Sequence, residues 1–587
     1  MAPENNSNIT NKKTISFMRS LCLGEVEQDV IFPFPKMKES ERETLKGMFP
    51  SLQSWLAGYS SEFRKWDRQG EFPPEFIQEL RDMGLFSLVI PEEFGGLGLS
   101  STAYSRMVQE LSRYDGALAV TIGAHSSIGM RGLMLVGTPA QKTKYMADLA
   151  SGKMIAAFCL TEPGAGSDAA SIKTKAVRDG DHWVLSGEKL WITNGGIASF
   201  FTVFARTDSP EGKMTAFIVT KDMPGISIGP HEDKMGLRAS STTTVHFDNV
   251  KVPIDNVLGG VGKGFKVAMK ILNAGRTGLG GGCVGGMKQL IEMASKQANQ
   301  RVQFGKKIGE FGLVKQKIGH MVVECYASEA AVAMVASLAD QGYEDYAVEA
   351  AISKVFASEC MWRTADEALQ VSGGNGFMCE FPYERVVRDC RVNRIFEGTN
   401  EILRLFIALT AMNDVGAQLK ELASSLEGIL QDPIKGFGLL SGYGRRRISQ
   451  VTGVGAVKHV LTKVHPKLRD EASIFEDGVR DLAGATDRII RKHGKNILNK
   501  QFATKRLADI MIDLFVLACV LSHVSTSIKE NGDEKAAKEI EILKVFSGQV
   551  RRRTKSNFNK IDDNDDELIK SLATHAMEQE KYSWDNL

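Results

Sequence analysis

The carboxylate with the best claim to chemistry in this sequence is Glu397, in the run Arg394-Ile395-Phe396-Glu397-Gly398-Thr399-Asn400-Glu401. Thr399 has the residue type of an N-cap for a helix over 400–411. Glu401 then falls in that helix's first turn, where a carboxylate complements the dipole, which is a structural role. Glu397 precedes the cap, is followed by glycine and sits among Ile395 and Phe396. A carboxylate desolvated by such neighbours holds its proton more tightly and becomes a better base. An ordinary loop carboxylate has the same spacing, so both readings stay open.

Two further runs suit a flat or anionic ligand. Thr161-Glu162-Pro163-Gly164-Ala165-Gly166-Ser167-Asp168 follows an apolar strand over 155–160. Its small residues let backbone N–H groups come close to a ligand, and Thr161 and Ser167 add hydroxyls; a plain β-turn reads the same way. In Trp191-Ile192-Thr193-Asn194-Gly195-Gly196 an exposed indole beside Thr193 can cover a ring, or the indole can be core. Gly280–Gly285 satisfies GxGxxG in form, but the segment before it, 265–273, reads as helix where the fingerprint needs a strand. Close helix packing through small residues is the better reading. The eight cysteines and ten histidines are dispersed, with no CxxC, no HExxH and no paired His–carboxylate cluster. Neither a metal nor a disulfide frame is expected; the thiols suit a reducing compartment.

The elements that must position these residues fall into blocks. Residues 1–37 form an N-terminal segment whose first 24 carry Lys12, Lys13 and Arg19 against Glu4 alone, which fits either a targeting presequence or a disordered start. Residues 38–153 read as helical. Residues 154–262 carry short Val-, Ile-, Phe- and Thr-rich runs punctuated by turns, the pattern of an antiparallel β domain. Residues 263–412 return to long helices, clearest over 324–341 and 346–371. A basic, Gly-rich linker occupies 413–469 and a further helical domain 470–587. Helix, sheet, helix in segregated blocks is an α+β layout, mainly α. The composition, with 25% charged residues and net charge +2, offers no global field for nucleic acid. The longest apolar run, 511–522, contains Asp513 and reads as a buried helix, not a membrane span.

Taken in order, the motifs resemble the acyl-CoA dehydrogenase family over residues 45–412. They are Phe158–Asp168, Trp191–Gly196, Arg301-Val302-Gln303-Phe304-Gly305-Lys306, Gln370–Phe377 and Phe396–Asn400. The resemblance implies a helical N-terminal domain, a middle β domain, a four-helix domain and non-covalent FAD. It implies flavin contacts from Phe158, Cys159, Leu160, Thr161, Gly166 and Ser167, and from Trp191, Ile192 and Thr193. It implies that Arg301, Gln303, Phe304, Gln370, Gly373 and Gly374 reach the flavin of a second subunit, hence a homodimer. Gln316, Thr399, Asn400 and Glu401 are implied to lie near the cofactor. Ser167, Asn273, Arg276, Phe396 and Gly398 are implied to meet the acyl-CoA substrate, with Asn273 in place of the aspartate of medium-chain members. Glu397 is implied to be the base that removes the α-proton while hydride leaves Cβ for the flavin, giving a trans-2-enoyl-CoA. Electron-transferring flavoprotein is the implied oxidant.

The long C-terminal part resembles the very-long-chain branch of the family and its relative, family member nine. That implies Gln501 as another flavin contact, Gly129 and Gly132 as room at the base of a deep acyl pocket, and mitochondrial β-oxidation on the matrix side of the inner membrane. Residues 433–469 hold eight Lys and Arg and no acid, behind apolar Ile434, Phe437, Leu439 and Leu440, which suits an anionic lipid surface as well as a solvated linker. The same resemblance leaves a second expectation, a flavoprotein scaffold working with respiratory complex I assembly factors.

Overall fold

In the computed structural model, residues 16–208, 213–428 and 461–585 are described. The chain divides into two compact units, Pro33–Ile402 and Ser16–Phe32 with Leu403–Leu587.

The first unit opens with helices from Glu39–Gly58 to Pro139–Ala150. Trp55, Tyr59, Phe63, Trp66 and Phe76 pack ring against ring among the first of them. The last begins with Pro139 behind a reciprocal Thr138–Gln141 capping box, which satisfies two of the orphan N–H groups of its first turn. Helices used below are α1 (Ser101–Tyr114), α2 (Gly116–Gly123), α3 (Gly264–Gln300), α4 (Gly312–Asp340), α5 (Ala347–Ser372) and α6 (Asn400–Gly428). The expected helices over 324–341 and 346–371 are thus parts of α4 and α5. Gly280–Gly285 lies inside α3, where a Cβ at Gly285 would stand 2.0 Å from the Gln109 carbonyl of α1. The glycines are there for helix contact, and the dinucleotide fingerprint is excluded.

The sheet strands are β1 (Ala156–Cys159), β2 (Lys175–Asp179), β3 (His182–Thr193), β4 (Phe200–Thr207), β5 (Met214–Thr220), β6 (Ile226–His231), β7 (Thr242–Pro253) and β8 (Val257–Leu258). Their order is β6-β7-β3-β2-β4-β5-β8, with β1 on β4. β4 and β5 are buried nearly throughout, so they read as apolar runs, while β2 exposes every residue but Ala176. The expectation of an antiparallel sheet needs one correction. β1 and β2 both run parallel to β4, β1 beside Phe200–Val203 and β2 beside Arg206–Thr207. The chain leaves one edge of β4 as the 160–174 loop and rejoins the same edge further along, so its direction is kept.

In the second unit, helices Phe17–Cys22 and Gln28–Ile31 belong with Arg469–His493, Gln501–Asn531 and Asp533–Asp562. Phe17, Met18, Leu21 and Cys22 are buried, with the Phe17 ring 6.2 Å from Phe515. Residues 16–22 are therefore folded, which corrects the reading of a disordered start for them; residues 1–15 lie outside the described residues. The 511–522 run is buried helix as expected, with Asp513 paired to Arg553 at 2.6 Å. Helix α6 continues through Gly428, so the linker cannot begin at 413, and most of the basic segment, 429–460, lies outside the described residues.

Candidate active site

Glu397 adopts φ 56° and Gly398 φ 92°. Two consecutive left-handed residues reverse the chain between the 3₁₀ turn Arg391–Arg394 and α6. For glutamate this conformation costs about 1–2 kcal/mol, so the turn must be held from outside. Two buried cations hold it. Arg276 of α3 donates from Nε to the Glu397 carbonyl at 3.4 Å and from Nη1 to Asn273 Oδ1 at 3.1 Å. Lys354 of α5 donates from Nζ to the Gly398 carbonyl at 2.8 Å and to Asn400 Oδ1 at 2.9 Å. Thr399 caps α6 through its hydroxyl, which accepts from the Ile402 N–H at 3.3 Å.

The Glu397 carboxylate itself lies against α3. A Cβ on Gly275 would stand 2.7 and 2.8 Å from its two oxygens and 2.8 Å from Ile128. Oε2 is shielded from solvent and has no hydrogen-bond partner. Burial raises the Glu397 pKa to about 7, against the opposing pull of Arg276 and Lys354. Burial also pulls Lys354 down to about 8. A carboxylate that is desolvated, unpartnered and near neutral in pKa is equipped to accept a proton at physiological pH. One turn along α3, a Cβ on Gly278 would stand 3.5 Å from the Tyr104 ring and 3.8 Å from the Ser127 Cβ. Tyr104 and Ser127 therefore wall the same face of α3 as the carboxylate.

A second set of groups lies on the sheet. The loop 161–168 leaves Gly166 and Ser167 exposed and Thr161 half-buried. Trp191 is 62% exposed at φ 56°. It sits where the β3–β7 register breaks between Lys189 and Ile192. The indole is thus surface, not core. Phe158 and Thr193 are half-buried, whereas the side chains of Cys159, Leu160 and Ile192 are buried, leaving only their backbones for a ligand.

Arg301, Gln303 and Phe304 form a projecting hairpin, β9 (Val302–Gln303) with β10 (Lys306–Lys307), whose Phe304 is 93% exposed at φ 52°. Gln316 on α4, Gln370 on α5 and Gly373 and Gly374 after it are exposed too, as is Glu401. Gln501 opens its helix in the second unit and is exposed. Phe396 and Gly398 lie half-buried on the turn.

Three expectations change. Asn400 is 0% exposed and its side chain is bonded to Lys354 and Ser358, so that side chain braces the turn and leaves at most the backbone for a cofactor. Gly129 does not open a pocket: a Cβ there would lie 2.8 Å from Ala156 of β1 and 2.7 Å from the Ala124 carbonyl. Gly132 likewise faces Ile271 and Leu258 at 3.1 and 3.4 Å. At Gly123, on α2, an added Cβ would meet nothing within 4 Å. Residues the sequence reading passed over are Lys354 and Gly275. Lys354, a lone cation in the apolar run Ala350–Ala357, was the only signal for the first; Gly275 gave none apart from its place beside Arg276.

Comparison with known proteins bears on both units. Models of the N-terminal, middle and C-terminal domains of acyl-CoA dehydrogenases match residues 56–153, 157–250 and 262–412. A model of the ACAD9/ACADV C-terminal domain matches 466–582. The chain is 43% identical over 525 residues to the mitochondrial very long-chain specific acyl-CoA dehydrogenase of Macaca fascicularis, covering 88% of this chain and 79% of that one. It is 40% identical over 576 residues to the Bos taurus protein of the same name, covering 96% and 87%. Among solved structures, an acyl-CoA dehydrogenase complexed with FAD from Bacillus anthracis is 30% identical, with TM-score 0.78 over 94% of each chain. Butyryl-CoA dehydrogenase from Megasphaera elsdenii is 35% identical with TM-score 0.61, covering 64% of this chain and 99% of that one.

Proposed function

The chain belongs to the acyl-CoA dehydrogenase family, and from that premise we propose that it oxidises long-chain fatty acyl-CoA thioesters to trans-2-enoyl-CoA with Glu397 as the base. The observation that carries this reading is the Glu397 carboxylate: shielded from solvent at Oε2, without a hydrogen-bond partner there, and set on a strained turn held by Arg276 and Lys354. A thioester α-proton is far too weakly acidic for a free carboxylate. Burial narrows the gap from the base's side, and the Glu397 N–H, offered to the thioester carbonyl, narrows it from the substrate's by stabilising the developing enolate. Once its proton is transferred, Glu397 is neutral and its burial no longer carries a cost. Ser167 on the 161–168 loop, with Asn273 and Arg276 on α3, belongs to the acyl-CoA site in this reading.

The residues present fit FAD. The loop 161–168 offers exposed small residues, and Trp191 and Thr193 present an exposed indole with a hydroxyl beside it. FAD, when bound, supplies the acceptor for the hydride that leaves Cβ. The projecting hairpin with its almost fully exposed Phe304 supports a homodimer in which Arg301, Gln303 and Phe304 serve the partner's cofactor site. The acyl chain runs along the α3 face past Tyr104 and Ser127. Open space at Gly123, whose carbonyl accepts from Ser127 at 2.6 Å, supports long chains. Electron-transferring flavoprotein is the proposed oxidant and the inner membrane of the mitochondrion the proposed site; the names of the mammalian relatives support the mitochondrion. Those names give the scaffold reading no support.

The test is the purified protein's flavin absorbance, followed during anaerobic mixing with acyl-CoA esters of graded length. Bleaching should be fastest with long chains, and Glu397→Gln should slow it by about 10²–10⁴-fold. Bleaching of that variant at the normal rate removes Glu397 from the mechanism, and faster bleaching by medium-chain than by long-chain esters removes the chain-length reading.

A further inference from the structure

Behind the two sheet loops assigned to the flavin lies a buried ion pair that the proton-transfer chemistry does not use. Lys189, on β3, has a fully buried side chain whose Nζ donates to Glu162 Oε1 at 2.6 Å and to the Leu160 carbonyl at 3.2 Å. The Glu162 carboxylate also accepts from the Thr174 hydroxyl at 2.6 Å, from the Thr174 N–H at 3.0 Å and from the Lys173 N–H. Gly187 permits the approach, since a Cβ there would stand 2.6 Å from Thr174 Oγ1.

The position of this pair in the sheet is what gives it meaning. Between β1 and β2 the chain departs from the edge of β4, and Leu160 is the first residue past the ladder. Its carbonyl would be left without a strand partner, and Lys189 supplies the donor. Glu162, two residues on, then ties the start of the loop to its end at Lys173–Thr174. On the other side, Lys189 is the last residue in register before the β3 bulge, and the Leu190 N–H donates to the Thr161 carbonyl at 2.9 Å. Trp191 follows at φ 56°, a conformation that costs an L-residue about 1–2 kcal/mol and must be imposed by its surroundings. One ammonium group therefore fixes both the loop 161–168 and the bulge that turns the Trp191 indole outward.

Stability alone does not explain such a pair. A buried ion pair gains little over apolar residues of the same volume, because desolvation offsets the attraction. What it adds is a fixed geometry. Resting on the flavin reading above, we propose that Lys189 and Glu162 are positioning residues for the cofactor, clamping the two loops into the one arrangement that grips the flavin. Neither side chain touches the ligand; both act through Thr161–Ser167 and Trp191.

The test is made on the holoenzyme at a temperature well below its melting point. FAD release into solution is followed by flavin fluorescence, and the visible spectrum of the bound flavin is recorded. Lys189→Met and Glu162→Gln should speed release at least 10-fold and blunt the structure of the absorption band. Because each leaves a buried partner unpaired and can fail to fold, the double variant Lys189→Met/Glu162→Met, which buries no charge, decides. It should fold and still release FAD at least 10-fold faster. Glu79→Leu is the control: it breaks the hydrogen bonds from Trp55 and Tyr59 to Glu79 in the N-terminal helices and should lower the melting temperature without changing release or spectrum. A folded double variant with wild-type release and spectrum overturns the proposal while leaving the flavin reading intact. A wild-type protein that retains no FAD at all overturns both.

Discussion

Replacing Glu397 by glutamine separates the cost of keeping the base from the chemistry it performs. The carboxyl is raised from 4.5 to about 7, chiefly by burial. A group whose folded value lies above its unfolded value binds its proton more tightly in the folded state. Its stabilising contribution is complete below pH 4.5 and is lost as pH rises through 7. At about 1.4 kcal/mol per pKa unit the loss is roughly 3 kcal/mol. Glutamine has the shape of the protonated acid and does not titrate. The variant and the wild type should therefore melt together at pH 4 and diverge above it. By pH 8 the variant should be more stable by about 3 kcal/mol, a rise of roughly 6 °C or somewhat less for so large a unit. Melting curves of substrate-free protein between pH 4 and 9 read this directly. A difference that does not change with pH, or a less stable variant at pH 8, refutes the claim that the carboxylate is held in a desolvated site.

Other outcomes follow from the same geometry. Gly275→Ala places a methyl within 2.8 Å of both Glu397 oxygens; it should retain FAD yet slow flavin bleaching by at least about 10²-fold, the effect expected of a misplaced base. Lys354→Met removes a cation that favours the ionised base, so the acid limb of the rate–pH profile should move upward. Asp389, raised to about 7 mainly by burial and then by Asp115, accepts from the Leu237 N–H. Asp389→Ala should cost about 1–3 kcal/mol in denaturant melts because that N–H is left unpaired, whereas Asp389→Asn should be neutral or stabilising above pH 7. Gly129→Ala should destabilise by about 1–3 kcal/mol through overpacking against Ala156 without altering chain-length preference, while Gly123→Leu should shift that preference to shorter chains.

The sequence by itself determined the order of blocks, because burial imposes a period of 3.6 on helices and 2 on strands. It also determined the Thr399 cap, the buried run 511–522 and, through five ordered motifs, the family. It brought Glu397 forward as a carboxylate among apolar neighbours. The tertiary structure alone decided how that carboxylate is made into a base. Glu397 carries a left-handed backbone because Arg276, 121 positions earlier, and Lys354 seize its carbonyl and the next one. Its oxygens lie where Gly275 leaves room. Local pattern carries no trace of either, since both are contacts between chain segments that only packing brings together. The same reason explains the errors. Gly129 and Asn400 have the residue types of a pocket floor and a polar contact, yet one meets the backbone of β1 and the other is sealed beneath the turn. Which face of an element a residue occupies can be read from spacing; what stands opposite that face cannot.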